Sequence, residues 1–424
     1  MPRTIERRGG ETRDPRANHP AGRALAAGGV RQAGGRAEPG GRQAGGRQAG
    51  GWQAGGRAGG RRRAPKGYLA LLGLVCVVNL VGLVMVLSAS SVQAQRAYGN
   101  PWYFFERQLL WMTLGALALW AGARIDYHRL RAFSAPLMAF ALLLLFAVLV
   151  PGVGLSANGS TRWLGLGSWR VQPSELAKLA IVLFAADLLT RRASHMDDIV
   201  STFVPVMAAF GVTGVMVMMQ PDMGTTLVIF TITLSLVFVA GTPMVTIGKS
   251  LLTAGVLSFL LGMVQPYRRD RLLTFLHPFK DAGNTGYQIV QSYVSLGSGG
   301  LFGRGLGSGI EKWGYLPNPY TDFIFAVIGE ETGLLGTLVV VLLFAGFALL
   351  GVRAAVRAPD RFGTLLATGV TAWIVSQAVL NMGAVIGLLP VTGVPLPFVS
   401  FGGSSLVITM GAVGILASVA RQER

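Results

Sequence analysis

From residue 68 to residue 420 most of the chain falls into apolar runs of 17 or more residues. A run of that length covers the roughly 30 Å of hydrocarbon in a bilayer. Backbone groups in lipid must be satisfied within the chain, so such runs are helices. A membrane barrel would instead alternate apolar and polar residues over short segments, and that pattern is absent. The sequence therefore predicts an all-α integral membrane protein with about ten transmembrane helices. They are expected near 68–89, 108–123, 133–151, 174–190, 200–218, 224–240, 247–264, 323–350, 364–387 and 402–420. Only 13% of residues are charged, against about 25% in a soluble domain.

Those charges are crowded into a tail and a few loops. Residues 1–66 hold 15 Lys and Arg against 4 Asp and Glu, and repeat RQAGG at 31–35, 42–46 and 47–51. With almost no large apolar residues the tail cannot bury a core and is expected to be disordered. It is too long and polar for a signal peptide, so the first span is expected to act as an uncleaved anchor. A net charge of +18 raises the question of nucleic acid. Its placement in the tail and between spans points instead to topology and to anionic lipid, and no nucleic-acid partner is expected. With the tail inside, the short inner loops carry Arg124, Arg129, Arg131, Arg191, Arg192, Lys249, Arg353, Arg357 and Arg361. Both termini are then cytoplasmic. The domain 67–420 places two substantial loops outside: 152–173, with Trp163 and Trp169 at the interface, and a Gly-rich stretch of about 265–321.

The single cysteine, Cys76, permits no internal disulfide, and His19, His128, His195 and His277 lack ligand spacing. Chemistry is sought among ionisable groups at membrane depth, which are expensive and usually functional. Glu175 and Lys178 lie three apart and are neighbours on a helix. They read either as a neutralising pair or as a cation presented to an anionic headgroup. Asp222, ahead of Gly224-Thr225-Thr226, reads as a helix N-cap or a site residue. Asp322 lies where the long outer loop enters the eighth span and reads as a cap or as a general base. At about 100° per residue Glu330 falls near Asp322, while Glu331 points away toward another helix. Outer cations suited to phosphate are Arg162, Arg170, Arg268, Arg269, Arg271, Lys280, Arg304 and Lys312; each reads equally as an interfacial anchor.

Six ordered motifs then carry a resemblance. They are NGSTRWLGLGSWRVQPSELAKL at 158–179, QPDMGTT at 220–226, YQIVQSYVSLGSGGLFGRGLGSG at 287–309, EKWGYLP at 311–317, TDFIFAVIGEETGLLG at 321–336 and GLLPVTGVPLPFVSFGGSS at 387–405. Over about 68–420 the chain resembles the SEDS family (shape, elongation, division and sporulation) of peptidoglycan glycosyltransferases. VMVLSASSV in the first span and KWGYLP before the eighth make it more similar to the division-septum type than to the elongation type.

The resemblance implies polymerisation of lipid II into β-1,4 glycan on the outer face of the bacterial inner membrane, at the septum, with release of undecaprenyl pyrophosphate. It makes Asp322 the catalytic aspartate, taking the proton of the acceptor 4-hydroxyl as that oxygen displaces the pyrophosphate with inversion. It places Arg162, Trp163, Glu175, Lys178, Asp222 and Thr321 at the substrate, with Arg268, Arg269 and Glu330 as further candidates. No cofactor is assigned; a divalent cation is a candidate for neutralising the pyrophosphate, with its ligands unknown. The implied partners are a class B penicillin-binding transpeptidase, since the chain has no such domain, and other division proteins. Two departures touch substrate contacts and partner coupling. Asn318-Pro319-Tyr320 replaces the common Glu-Ala-His before the TDF segment, and Thr392 stands where many division members carry lysine. A lipid flippase and a non-catalytic scaffold are the rival readings.

Overall fold

A computed structural model describes residues 65–157, 160–166, 169–193, 199–264, 274–284 and 286–423. Nearly all of the tail, together with Arg268, Arg269 and Arg271, lies outside the described residues. Helices occupy all ten expected positions: α1 (Lys66–Tyr98), α2 (Tyr103–Arg124), α3 (Ser134–Leu149), α4 (Pro173–Arg191), α5 (Ile199–Met219), α6 (Met223–Val239), α7 (Met244–Val264), α9 (Ile324–Val356), α10 (Arg361–Val385) and α11 (Gly403–Arg421). One further helix, α8 (Tyr287–Gly299), lies within the long connection between α7 and α9.

Among the described residues six helices are long and apolar enough to cross a membrane, in the segments Lys66–Tyr98, Tyr127–Leu149, Thr202–Met219, Ile324–Val356, Arg361–Val385 and Gly403–Arg421. α6 has 17 residues, and α7 has 21 that are largely apolar. Charge marks the other two. Helix α2 carries Glu106 in its first turn and Arg124 in its last. α4 carries Glu175, Lys178 and Asp187, all buried. It packs against α3, α5, α6, α10 and α11, so its charges face protein and not lipid.

Two features depart from an all-helical expectation. The 152–173 loop is a small antiparallel sheet, β1 (Leu155–Ala157), β2 (Ser160–Leu166) and β3 (Trp169–Val171), in the order β1-β2-β3. The periodicity of a span says nothing about a small sheet between spans. α9 is also broken at Gly333, whose φ of 71° and ψ of −166° are not helical. The break frees backbone groups that lipid cannot satisfy. The Gly-rich segment after α8 answers them. Arg304 N and Gly305 N donate to Glu330 O and Glu331 O, both at 3.0 Å, and Leu334 N donates to Gly300 O at 2.9 Å. The glycines are required because the two backbones touch. A Cβ on Gly299 would collide with Gly329 O, and one on Gly303 with Glu331 O.

Close packing of small residues also joins α2 to α11. A Cβ on Gly122 would lie 2.9 Å from Gly411 O, and one on Gly414 would meet Leu119 O. Without a hydrophobic drive inside lipid, such backbone approach is what makes helices associate.

Candidate functional site

The segment Tyr320-Thr321-Asp322 is held by three consecutive carbonyls. Phe401 N donates to Tyr320 O at 2.9 Å. Ser400 Oγ donates to Thr321 O at 2.6 Å, and Asn381 Nδ2 to Asp322 O at 2.7 Å. The three donors come from α10 and from the loop before α11, so residues far apart in the chain fix one aspartate. Phe323 is the N-cap position of α9, with no side-chain cap bond. Asp322 therefore precedes the helix, and its half-buried carboxylate opens on a small cleft of about 10 Å³. Phe323, Asn381, Thr392, Gly393 and Val394 are among the residues lining it. An added Cβ on Gly393 would lie 3.7 Å from Asp322 Oδ2.

The loop 391–395 is the junction of the other predicted groups. Gly224 packs directly under it, where a Cβ would lie 2.8 Å from Thr392 Cβ and would overlap Val394. Just before Gly224, Asp222 caps α6: its Oδ1 accepts from Thr225 N at 3.1 Å and its Oδ2 from Thr225 Oγ1 at 2.9 Å. Arg162 on β2 clasps the same turn, donating through Nε to Gln220 O at 3.0 Å and through Nη2 to Pro221 O, with Nη1 3.8 Å from Asp222 Oδ2. On the other side Gln377 Nε2 donates to Pro395 O at 3.0 Å. Gln377 Oε1 accepts from Lys178 Nζ at 2.7 Å and from Trp373 Nε1 at 3.0 Å.

Lys178 is 0% exposed, paired with Glu175 Oε1 at 2.8 Å, and its ammonium lies 5.0 Å from the Trp373 ring centroid. Of the two readings of this pair, the geometry is that of a neutralised pair inside the bundle. The ammonium is enclosed by Glu175, Gln377 and Trp373. Asp222 is the cap that the sequence offered as one of its readings. Trp163 is half-buried on β2, opposite Leu155.

Glu330 does not line the Asp322 cleft, which corrects the expectation that the two flank one side. Helical periodicity cannot be carried back to Asp322, because α9 begins at Ile324. Glu330 instead accepts from Ile310 N at 2.7 Å and Glu311 N at 3.4 Å, with Arg304 Nη1 at 4.0 Å. Burial, reinforced by Glu330, pushes the neighbouring Glu311 carboxyl above its usual range against the pull of Arg304. Glu331 points to another helix as expected. It accepts from Ser88 Oγ of α1 at 2.6 Å and pairs with Lys312 Nζ at 3.0 Å.

Among the described residues no group of three or more His, Cys, Asp or Glu is placed to hold a metal ion. A wider depression of about 660 Å³, lined by Arg96, Ile310, Trp313, Gly314 and Tyr315, contains none of the predicted site residues.

Sequence reasoning missed Gln377, Asn381 and Ser400. The signal for two of them was present: Gln377 and Asn381 are amides one turn apart in a long apolar run, and polar groups at membrane depth rarely lack a role.

The sequence and the architecture both have counterparts among known proteins. A family model for cell cycle proteins, FtsW/RodA/SpoVE, matches residues 69–424. A probable peptidoglycan glycosyltransferase FtsW of Geobacter metallireducens is 41% identical over 352 residues, covering 83% of this chain and 94% of the relative. Stage V sporulation protein E of Bacillus subtilis is 40% identical over 348 residues, covering 81% and 94%. A solved peptidoglycan synthase complex that coordinates polymerization and crosslinking contains a chain matched with a TM-score of 0.68 at 28% identity, covering 84% of this chain and 98% of that one. The rod shape determining protein RodA of Thermus thermophilus matches with a TM-score of 0.61 at 28% identity, covering 83% and 96%. By family model, by sequence over most of its length and by fold, this chain belongs to the FtsW/RodA/SpoVE family of cell cycle proteins.

Proposed function

We propose that the chain is a peptidoglycan glycosyltransferase. It polymerises lipid II into β-1,4 glycan strands at the outer face of the cytoplasmic membrane, in septal division, and releases undecaprenyl pyrophosphate. The observation that carries this reading is the fixation of Asp322. A general base must be held where the acceptor hydroxyl arrives, and preorganisation is worth most when the support is rigid. Three pinned carbonyls in a row supply that rigidity. Asp322 takes the proton of the acceptor 4-hydroxyl. The oxygen attacks the anomeric carbon from the side opposite the pyrophosphate, which leaves with the bonding electrons.

Arg162, Asp222, Glu175 and Lys178 act in this reading as supports of the loop that walls the cleft. Arg162 and Asp222 hold the turn beneath Gly224, and Lys178 reaches the loop through Gln377. Neutralisation of the leaving pyrophosphate falls to outer cations such as Arg268 and Arg269, with a divalent cation as a further source of positive charge. Cross-linking is supplied by a separate class B penicillin-binding transpeptidase, acting with other division proteins. The curated relatives named for this glycosyl transfer and the solved synthase complex support the reading.

The test is polymer formation from lipid II by the protein purified with its transpeptidase, comparing wild type with Asp322→Asn at equal folding and partner binding. Polymer from wild type and none from the variant is the expected outcome. Equal polymer from both removes Asp322 as the base. No polymer from either returns the flippase and scaffold readings, which lipid II translocation in liposomes then separates.

A further inference from the structure

Three buried carboxyl groups meet where the segment after α8 lies on the first half of α9, and among the described residues only two of them are paired with a cation. Glu331 pairs with Lys312 Nζ at 3.0 Å, and Glu330 has Arg304 Nη1 at 4.0 Å. The third, Glu311, is 6% exposed, and its Oε2 has no hydrogen-bond partner among the described residues. Arg96 of α1 also reaches this segment, but it is engaged with Trp313, donating to its carbonyl at 2.9 Å and lying 5.7 Å from its ring centroid. Buried polar groups are hydrogen-bonded as a rule, and a buried charge without a partner costs far more than a neutral group. Burial, reinforced by Glu330, accordingly holds the Glu311 carboxyl above its usual range against the pull of Arg304.

Glu311 is built into the very contact that its charge would strain. Its backbone N donates to Glu330 Oε2 at 3.4 Å, its neighbour Ile310 N donates to Glu330 Oε1 at 2.7 Å, and its carbonyl accepts from Leu316 N at 2.9 Å. On the same segment Lys312 Nζ donates to Gly307 O at 2.7 Å and to Ser88 Oγ of α1 at 3.3 Å. An ionised Glu311 gains a hydration shell only by swinging out to water. That movement draws Ile310 and Glu311 off the Glu330 carboxylate. The pull falls on the half of α9 that runs from just after Asp322 to the break at Gly333.

We propose that Glu311 is a proton-operated latch: neutral, it keeps residues 304–316 on α9, and ionised, it swings out and releases them, its proton passing to bulk water. The charged groups around it are Arg304, Lys312, Glu330 and Glu331, with Arg96 beyond them on Trp313. Arg304 and Lys312 are already matched to the other two carboxylates, so a third negative charge is uncompensated. The sign follows from the raised carboxyl of the closed state. Closure is strongest on the acid side and is lost as pH rises from the ordinary carboxylate range through the raised one. One proton is linked to opening, so the open fraction grows by at most about tenfold per pH unit. The inference goes beyond the glycosyltransferase reading and does not depend on it. It gives the helix that follows Asp322 a response to pH on the face where residues 304–316 lie.

Hydrogen exchange of the full purified chain reads the latch whether or not polymer forms. Exchange is followed by mass spectrometry on peptides covering 304–316 and, as a reference, α11, with labelling times scaled to the intrinsic rate at each pH. The series runs from about pH 4.5 to about pH 8, which spans the ordinary carboxylate range and well above it. In the wild type, protection of 304–316 is expected to fall as pH rises, by up to about tenfold per unit, and then to level off, while α11 stays protected. Glu311→Gln, neutral at every pH, is expected to keep its acid-side protection across the series. A wild-type profile without slope overturns the latch, and needs no variant to do so. An equal slope in Glu311→Gln overturns it as well, because another group then titrates. A parallel loss in α11 also overturns it, because that is global unfolding. None of these outcomes touches the glycosyltransferase reading, and a failure of polymerisation leaves the latch standing.

Discussion

Lys178 shows how far one residue can be read alone. Its spacing from Glu175 predicts the ion pair, and the pair is there at 2.8 Å. Its surroundings could not be read. Gln377 lies 199 positions away, and nothing in the local sequence says which helix will pack there. That distant amide decides whether the ammonium faces a headgroup or the bundle. The energetics are then those of a buried pair. Removing one partner of such a pair destabilises by about 3–5 kcal/mol, because the other charge is left buried alone. Lys178→Met is expected to lose about that much, seen as a large drop in the thermal midpoint in detergent. Lys178→Met combined with Glu175→Leu is expected to recover most of it, since apolar replacement of a whole buried pair is often neutral. A single variant that melts like wild type would contradict the structural role. A stable double variant that polymerises normally would show that the ammonium has no further part in the reaction.

At the scale of elements, the apolar runs located every one of the ten helices, because the length of a span is imposed by the bilayer. The break in α9 was hidden by the same uniformity. The local sign, three glycines around Glu330-Glu331 in GEETGLLG at 329–336, is outweighed by the apolar run from Ile324 to Val356. A second sign lies in the long loop before α9, whose glycines at 299, 300, 303 and 305 are the complement of the break. Their purpose becomes legible only when the partner backbone is known. Two glycines in one helix give a controlled prediction. Gly299→Ala would drive a methyl into the Gly329–Glu330 backbone, with Gly329 C at 2.9 Å and Glu330 Cα at 3.0 Å, and no flexible side chain to give way. It is expected to lose at least about 1–3 kcal/mol, the usual range for overpacking. Gly297→Ala on the same helix meets nothing within 4 Å. It is expected to be neutral or to stabilise by about 0.5–1 kcal/mol, since alanine is the better helix former. Thermal unfolding of both variants side by side checks the pair, and equal midpoints would mean that the two backbones do not meet.

The whole molecule adds a constraint that no single helix carries. Ten spanning helices would put both ends of 66–421 on one side, and basic inner loops would put that side in the cytoplasm. Among the described residues six of the ten are long and apolar enough to cross a membrane, so hydropathy alone leaves the parity open. Parity matters for function, because the Asp322 cleft and the 274–321 segment must share a face if the base is to meet a substrate outside the cell. The candidate site was legible in the same uneven way. Asp322 stood out as a carboxylate at a span boundary, whereas Asn381 and Ser400, which hold it, arrive from elsewhere in the fold. The topology is testable with the one native cysteine removed, since Cys76 on α1 is exposed. In a Cys76→Ala background, a cysteine at Gly283, which is exposed with open space around it, is placed on the proposed outer face. A cysteine at Arg357, exposed at the end of α9, is placed on the proposed inner face. An impermeant maleimide is expected to label Gly283→Cys in intact spheroplasts and Arg357→Cys only after the membrane is opened. The reverse pattern would invert the protein and place Asp322 in the cytoplasm, out of reach of an extracytoplasmic acceptor. Labelling of both sites in intact spheroplasts would put them on one face, so that an even number of spans separates them, and α9 could not be the single crossing between 283 and 357.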